Sequence, residues 1–302
     1  MKTFKSILEF QKHFDTDEKC RLFLEEQRWG DTPACPYCGS LNVTRLKSVK
    51  KFQCNEKKCR KQFTVTIGTI IESSKIPLTK WFLAMYILSN HSKGISSLQL
   101  ATWLNVTQKT AWFLNHRIRE SLTEKRPVKL SGVVEADESW IGGKISNKHK
   151  SKRKLLERND NKTMVFGIVE REGKVITKVI PDVTTPTLTN AVKEHVLIGS
   201  IVVTDEGFGY GQLSKTYKHA RVNHSKEQYV RGTAHTNTIE GFWNLLKKQI
   251  GGIHHSVSPK HLQRYCNEAS YRYNRRQQAQ DIRFTETLIN SESRLKYQDL
   301  IK

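Results

Sequence analysis

The chain has 302 residues, with 51 lysines and arginines against 29 aspartates and glutamates, a formal net charge of +22. Hydrophobic residues at 37% and charged residues at 26% suit a folded protein of two to three small domains and exclude wholesale disorder. No run reaches the roughly 18 apolar residues of a membrane span, and the N-terminal MKTFKSILEFQKHF lacks a signal-peptide core, so the expected setting is cytoplasmic with no membrane partner.

An excess of this size repels itself unless a polyanion balances it. Nucleic acid is the natural candidate, because neutralising phosphates releases condensed counterions; a solvated basic surface is the alternative. Residues 1–130 carry 23 basic and 11 acidic side chains and the remainder 28 and 18, so no single tail accounts for the charge.

Residues 1–30 read as helical, with Phe10, Phe14, Cys20, Phe23 and Leu24 at roughly helical spacing and Asp15, Asp17 and Glu18 near a helix start. Next come Cys35-Pro-Tyr-Cys38 and Cys54-Asn-Glu-Lys-Lys-Cys59, 15 residues apart. Two such pairs supply four thiolates to one tetrahedral ion, and zinc is the default metal for that set. Four protein ligands leave no open position, so this site is structural. Gly39 suits the tight turn after the first pair, while Cys20 and Cys266 fall outside the pattern. Arg45, Lys47, Lys50, Lys51, Lys57, Lys58, Arg60 and Lys61 surround the site, so the segment either meets phosphate or presents a solvated surface.

Trp81, Met85 and Leu88 share a helix face, and SSLQLATWLNVTQKTAWFLNHRIRE follows at residues 96–120. Thr107 can cap the second of two helices there. As a helix-turn-helix the pair would offer Gln108, Lys109, Asn115 and Arg117 to DNA; as a plain αα-hairpin it would only pack. From about residue 130 the pattern changes to Val/Ile-rich strands at Gly132–Ile141, Thr163–Glu170, Lys174–Ile180 and Ser200–Thr204, with a hairpin signal at Arg171-Glu172-Gly173. The polar, basic stretch between the first two strands reads as an exposed loop.

Three carboxylates stand out in this basic chain. Asp137 lies near the end of the first strand, Asp205 ends Ser-Ile-Val-Val-Thr-Asp, and Glu240 sits in the amphipathic helix HTNTIEGFWNLLK, which Gly251-Gly252 is expected to end. Ile239, Phe242, Leu246 and Ile250 mark its buried face; Asn237, Glu240, Asn244 and Lys247 share another. Acids at strand ends and on one helix suit hard divalent cations, which take oxygen ligands and keep waters, and hence phosphodiester cleavage. Taken singly, each is as compatible with a cap or a surface turn.

The segments CPYCGS, CRKQFTVTIGTI, EADESWIGGK, VVTDEGFGY, VNHSKEQYV, HTNTIEGFWNLLKKQIGGIHH and LQRYCNEASYRYNRR run from about residue 35 to 276. Together they resemble the bacterial insertion-sequence DDE transposases that carry an N-terminal zinc ribbon, the family numbered 1595 (ISXO-like). The resemblance implies an α+β / α/β chain: a zinc ribbon and a helical, HTH-like region, then an RNase H-like mixed-sheet catalytic domain. The expected boundaries are 1–72 for the N-terminal helix and ribbon, 73–128 for the helical region, 129–285 for the catalytic domain and 286–302 for a tail. By motif, Asp137 and Asp205 match the first two acids, Glu240 the third and Lys247 the basic residue after it. Relatives use Glu, Asn or His as the third member, so Asn237 is the alternative there.

The implied activity is Mg²⁺- or Mn²⁺-dependent cleavage at transposon ends and strand transfer into target DNA, with one structural Zn²⁺ and a homodimer on synapsis. A non-catalytic DNA-binding regulator and a purely hydrolytic nuclease are the alternatives. Lys57, Lys58, Arg60, Lys109, Arg117, Lys152 and Arg153 are the expected DNA contacts. His224, His235, His254 and His255 lie in family-like motifs without an assigned ligand role. Arg264, Arg272, Arg275 and Arg276, with Tyr265, Tyr271 and Tyr273, form a C-terminal helix that either binds DNA or packs.

Overall fold

The computed structural model describes residues 4–47, 50–124, 128–143, 146, 149–153, 162–205, 208–222 and 235–301. The chain divides into two compact units, one of Met1–Thr123 with Gln277–Lys302 and one of Glu124–Arg276.

The first unit opens with α1 (Ile7–His13) and α2 (Asp17–Trp29), each started by a hydroxyl cap: Ser6 Oγ accepts from Glu9 N and Thr16 Oγ1 from Lys19 N. Three short antiparallel strands follow, β1 (Val43–Arg45), β2 (Phe52–Cys54) and β3 (Gln62–Phe63), in sheet order β1-β2-β3. Trp29 packs edge-on to Phe52, with ring centroids 5.2 Å apart, and Phe52 stacks on Phe63 at 5.5 Å. Arg28 fastens the segment after the strands by donating to the carbonyls of Val65 and Ile67.

The helices α3 (Leu78–Asn90), α4 (Ser97–Leu104) and α5 (Gln108–Ser121) complete the N-terminal part. Asn105, left-handed at φ 47°, ends α4, and Thr107 caps α5 by accepting from Thr110 N. Trp81, Met85 and Leu88 are buried as their spacing predicts. One expectation fails here. Asn115 is 1% exposed and Arg117 5% exposed, with the Arg117 guanidinium donating to the Glu72 carbonyl and lying over the Trp81 and Phe113 rings. Neither is presented to a duplex. Helical periodicity places a residue on a face but does not say which neighbour covers that face. Gln108 and Lys109 are exposed.

The C-terminal segment is not a tail. Helix α10 (Gln280–Ile289) packs on α2 and α3, and α11 (Tyr297–Ile301) follows it. Phe284 is fully buried, with ring centroids 4.9 Å from Phe10, 5.5 Å from Phe82 and 5.7 Å from Phe14. Residues 277–285, assigned by sequence to the catalytic domain, therefore belong to the core of the first unit, along with Leu288 and Leu300.

The second unit is built on a five-stranded sheet: β4 (Val133–Gly142), β5 (Lys162–Glu170), β6 (Val175–Ile180), β7 (Ile201–Thr204) and β8 (Lys218–Arg221), in order β6-β5-β4-β7-β8. The first three strands pair antiparallel, and β4 pairs parallel with β7 and β7 with β8. This mixed sheet, covered by helices on both faces, is the RNase H-like arrangement. A short α6 (Lys150–Arg153) lies between β4 and β5.

On one face, Val134, Ala136, Phe166, Ile168 and Val202 meet α7 (Thr185–His195) and Tyr210. On the other, Ile141, Val165 and Val169 meet Ile239, Phe242, Trp243 and Leu246 of α8 (Asn237–Gln249) and Leu262 and Cys266 of α9 (Pro259–Asn274). The glycine pair after α8 does not stop it. The chain continues in a π turn, Ile250–His254, and leaves it at His255 with φ 59°. Packing also decides the basic-aromatic C-terminal helix: Tyr265, Tyr271 and Arg272 are buried, and Arg272 donates to Glu268 and Gln249.

Phe284→Ala should lower the unfolding free energy of the first unit by about 3–5 kcal/mol, measured by urea denaturation followed through tryptophan fluorescence. A true tail would leave the transition unmoved.

Candidate acid cluster and cysteine centre

Strand register brings the first two acids together. Ala136 on β4 lies opposite Thr204, the last residue of its parallel neighbour β7, so Asp205 follows β7 beside Asp137. Asp137 itself lies in the middle of β4 and not near its end as the sequence suggested. Side chains alternate along a strand. Glu135, Asp137 and Ser139 therefore share the face of Ile141, the face covered by α8. Glu240 stands in the first turn of that helix, exposed, with Thr236 Oγ1 donating to its Oε1 at 2.9 Å. The Asp137 carboxyl is pushed up to about 6. Burial is the larger cause, and the charges of Asp205 and Glu240 add to it.

Two residues without a place in the sequence reading hold Asp137. Trp243 Nε1 donates to its Oδ2 at 2.9 Å. The indole reaches in because β5 carries Gly167 directly opposite Asp137. A Cβ at Gly167 would stand 2.6 Å from the Trp243 ring and 3.0 Å from Ile239. A glycine inside an otherwise Val/Ile-rich strand was the available signal.

The helix itself is anchored by Glu135, which is fully buried. Its Oε2 accepts from the amides of Thr238 and Ile239 at 2.9 and 3.1 Å, and its Oε1 from Thr238 Oγ1 at 2.9 Å. These are amides that a helix start leaves without intrahelical partners, and negative charge there also suits the helix dipole. Arg171 Nε pairs with Oε1 at 2.9 Å, His235 Nδ1 lies 3.2 Å from it, and Arg171 also donates to the His235 carbonyl. One carboxylate thus fixes where α8 begins and, one turn on, where Glu240 stands.

A fourth carboxylate, Glu138, points to the opposite face and accepts from the buried Tyr210 hydroxyl. Burial, with the charges of Asp137 and Asp205, pushes it up to about 7. Asn237 and Lys247 are both exposed on α8, Asn237 one turn before Glu240 and Lys247 two turns beyond it.

The four cysteines of the first unit form a separate centre. Cys35 and Cys59 Sγ lie 3.8 Å apart, Cys38 and Cys54 Sγ 3.6 Å, and all four sulfurs lie within 4.8 Å of one another. A tetrahedron of Zn–S bonds of ~2.3 Å has edges of about 3.8 Å, so the donor set fits zinc. The turn after Cys38 depends on Gly39 at φ 75°, whose amide reaches the Cys35 carbonyl at 2.8 Å. Among the described residues this is the one group with donor atoms already gathered so closely.

Of the expected DNA contacts, Lys57, Lys58, Arg60 and Lys109 are exposed, Arg117 is buried, and the side chains of Lys152 and Arg153 lie outside the described residues, as does His224. Arg45 is held by Glu25 at 2.7 Å and lies over the Phe52 ring. Glu135→Ala should cost about 3 kcal/mol in the second unit, because it leaves a half-buried guanidinium and two helix amides without this partner. Chemical denaturation measures it, and Glu135→Gln should recover part of the loss by retaining one acceptor.

Residues 129–274 match the ISXO2-like transposase domain, and residues 15–62 match the transposase zinc-ribbon domain. The chain is 29% identical over 270 residues to a protein of the transposable element ISH50 of Halobacterium salinarum, covering 84% of this chain and 90% of that one. It is 30% identical over 117 residues to a transposase-like protein of Haemophilus influenzae, covering 38% of this chain and 94% of that one. Among solved structures, the magnesium complex of the HTLV-2 integrase catalytic core aligns with a TM-score of 0.30 at 16% identity, covering 50% of this chain and 89% of that chain. The pre-cleavage Mos1 transpososome aligns with a TM-score of 0.26 at 12% identity, covering 97% and 98%. Both structural likenesses are too weak to carry an argument. Sequence kinship, the cysteine ribbon and the mixed sheet agree: the chain belongs to the zinc-ribbon-bearing ISXO2-like transposases of insertion-sequence family 1595.

Proposed function

We propose that the chain is an active DNA transposase that cleaves at the ends of its element and transfers the strand into target DNA, with Asp137, Asp205 and Glu240 as its catalytic acids. The observation that supports this most is the parallel β4–β7 register, Ala136 opposite Thr204, which sets Asp137 and Asp205 on neighbouring segments, with Asp137 beneath the helix bearing Glu240. The donor set is all oxygen, which favours Mg²⁺ or Mn²⁺. Such ions, when bound, supply activation of the attacking hydroxyl and stabilisation of the leaving oxygen. The protein's share is positional. Trp243 fixes one oxygen of Asp137, Thr236 orients Glu240, and Lys247 offers a cation to a strand phosphate beyond the acids. Asn237, one turn before Glu240, is the alternative third member.

The ribbon holds one structural Zn²⁺ on Cys35, Cys38, Cys54 and Cys59, and with exposed Lys57, Lys58 and Arg60 it contributes to phosphate binding. Double-stranded DNA is the partner, two copies of the chain meet on synapsis, and the location is the bacterial cytoplasm at the nucleoid. No described helix is long and apolar enough to cross a membrane.

Asp137→Asn should abolish Mg²⁺-dependent cleavage and joining of end-bearing oligonucleotides while leaving DNA binding within about twofold, as read by gel assay and fluorescence anisotropy. Cleavage at the normal rate sinks the assignment, and hydrolysis without joining reduces the enzyme to a nuclease.

The raised Asp137 value sets a second test. The folded-state carboxyl titrates near 6 against an ordinary 3.8, so its contribution to stability is full at low pH and is lost as pH rises between those values. A bound divalent cation restores that loss. Added Mg²⁺ should therefore raise the melting temperature of the second unit more at about pH 8 than at about pH 5, and Asp137→Asn should remove the difference.

Native mass spectrometry of freshly purified protein should find one zinc per chain, lost when Cys38 and Cys54 are both changed to serine.

A further inference from the structure

The cysteine centre is made of two knuckles, one from Cys35 to Cys38 and one from Cys54 to Cys59. Each passes its second cysteine into a residue in the left-handed region, Gly39 at φ 75° in the first and Arg60 at φ 50° in the second. Glycine enters that region freely, whereas a residue with a Cβ does so against its backbone preference. The turn at Arg60 is nevertheless held firmly. Its amide reaches the Glu56 carbonyl at 3.1 Å, and its carbonyl accepts from the Gln53 side-chain amide. A turn selected for stability alone takes glycine, as the first knuckle does. An arginine kept at a position that suits glycine points to a use for its guanidinium.

The surroundings say what that use is. Arg60 is exposed, and so are Lys57, Lys58 and Lys61 beside it. Residues 54–61 thus present four cations against one carboxylate, Glu56, which accepts from Ser40 Oγ at 2.8 Å. Lys61 reaches across to the first knuckle, where its ammonium lies 4.6 Å from the centre of the Tyr37 ring. Tyr37 is itself 47% exposed. The strands of the ribbon are differently placed. Arg45 is paired with Glu25 and lies over the Phe52 ring, and Trp29 of α2 packs on Phe52 and Phe63. The ribbon is fastened to α2 through its strands, which leaves the knuckles open.

We propose that Arg60 is the residue with which the ribbon grips duplex DNA, its guanidinium forking one strand phosphate while Lys61, steadied over Tyr37, meets a neighbouring phosphate. The proposal rests on the reading of DNA as the ribbon's partner and deepens it: the knuckle end is the face that docks, and docking turns on Arg60. A planar guanidinium presents two parallel N–H donors to one phosphate, which a lysine cannot do. A backbone already held in one conformation aims that fork without the cost of ordering a loop on binding. Both gains require an arginine where the turn prefers glycine.

The test measures binding of a short fluorescein-labelled duplex to the full, zinc-loaded chain by anisotropy, without added Mg²⁺ so that no strand is cut. Arg60→Gly should keep its zinc by native mass spectrometry and melt no lower than the wild type. It should nevertheless bind the duplex about tenfold more weakly, with a salt slope smaller by about one unit. Arg60→Asn, which also tolerates the left-handed region, should lose as much affinity. Tyr37→Phe should bind as the wild type does, and Tyr37→Ala about threefold more weakly. Lys51→Gln removes an exposed charge from the turn between β1 and β2, away from the knuckles, and should weaken binding less than Arg60→Gly. Wild-type affinity in Arg60→Gly, or a loss no greater than that of Lys51→Gln, overturns the assignment. Loss of zinc or a lower melting temperature in Arg60→Gly overturns it too, because the arginine then serves the fold. Displacement of the duplex by polyglutamate as effectively as by unlabelled duplex makes an acidic polypeptide the partner and also sinks it. Failure of the transposase reading shows separately, as a wild type whose duplex binding depends on Arg60 but which cuts nothing when Mg²⁺ is added.

Discussion

The placement of α8 against the sheet depends on one buried carboxylate. Glu135 stands on the same strand face as Asp137, two residues before it, and ties the first amides of α8 to that strand. Without such a tie, the position of Glu240 relative to Asp137 and Asp205 would rest on the packing of Ile239, Phe242 and Trp243 alone, which fixes a helix against a sheet but tolerates sliding along it. A charged carboxylate buried at this depth is itself expensive. It is retained because Arg171, the Thr238 hydroxyl and the two amides together satisfy it. The hairpin residue Arg171 is thereby recruited to the site although it lies at the far end of β5. Its position after the strand is set by the β4–β5 register, so sheet pairing and helix start are coupled through one ion pair.

Gly167 and Trp243 form the second coupling. The indole both fills the space that the glycine leaves and donates to Asp137. Its two roles require the same placement of α8 that Glu135 imposes. Two independent contacts, one at the start of the helix and one a turn and a half along, define its translation and its rotation against the strand. This is the condition for two acids on the sheet and one on a helix to face a common space reproducibly.

Much of this was legible in the sequence, for identifiable reasons. The four cysteines, the strands β4 to β7 and the amphipathic face of α8 follow from spacing and period, which are local properties. Asp137, Asp205 and Glu240 were picked out as acids at element ends. Glu135 was not, although a charged residue at the same parity as Asp137 inside a Val/Ile run is itself an anomaly that demands a buried partner. β8 was missed because Lys-His-Ala-Arg carries no apolar alternation: it is an edge strand whose residues are mostly half-exposed or exposed. Arg117 and residues 277–301 were misplaced for a different reason. Their burial depends on contacts between segments far apart in the chain, Glu72 with Arg117 and Phe10 with Phe284, and no local pattern encodes those.

Charge ties these observations together. A surplus of 22 positive charges supplies long-range attraction for a polyanion but cannot itself cut one. Inside the second unit the balance is reversed: burial first, and neighbouring carboxylates after it, raise Asp137 and Glu138. The fold separates the two by depth. The exposed lysines lie on helix surfaces and loop rims, where hydration keeps them charged at little cost. Asp137 and Glu138 sit in the sheet, where burial disfavours their charged forms. The same carboxylates on an open surface would feel their neighbours only weakly, through water. Depth, and not composition, sets the electrostatics of these carboxylates within a basic chain.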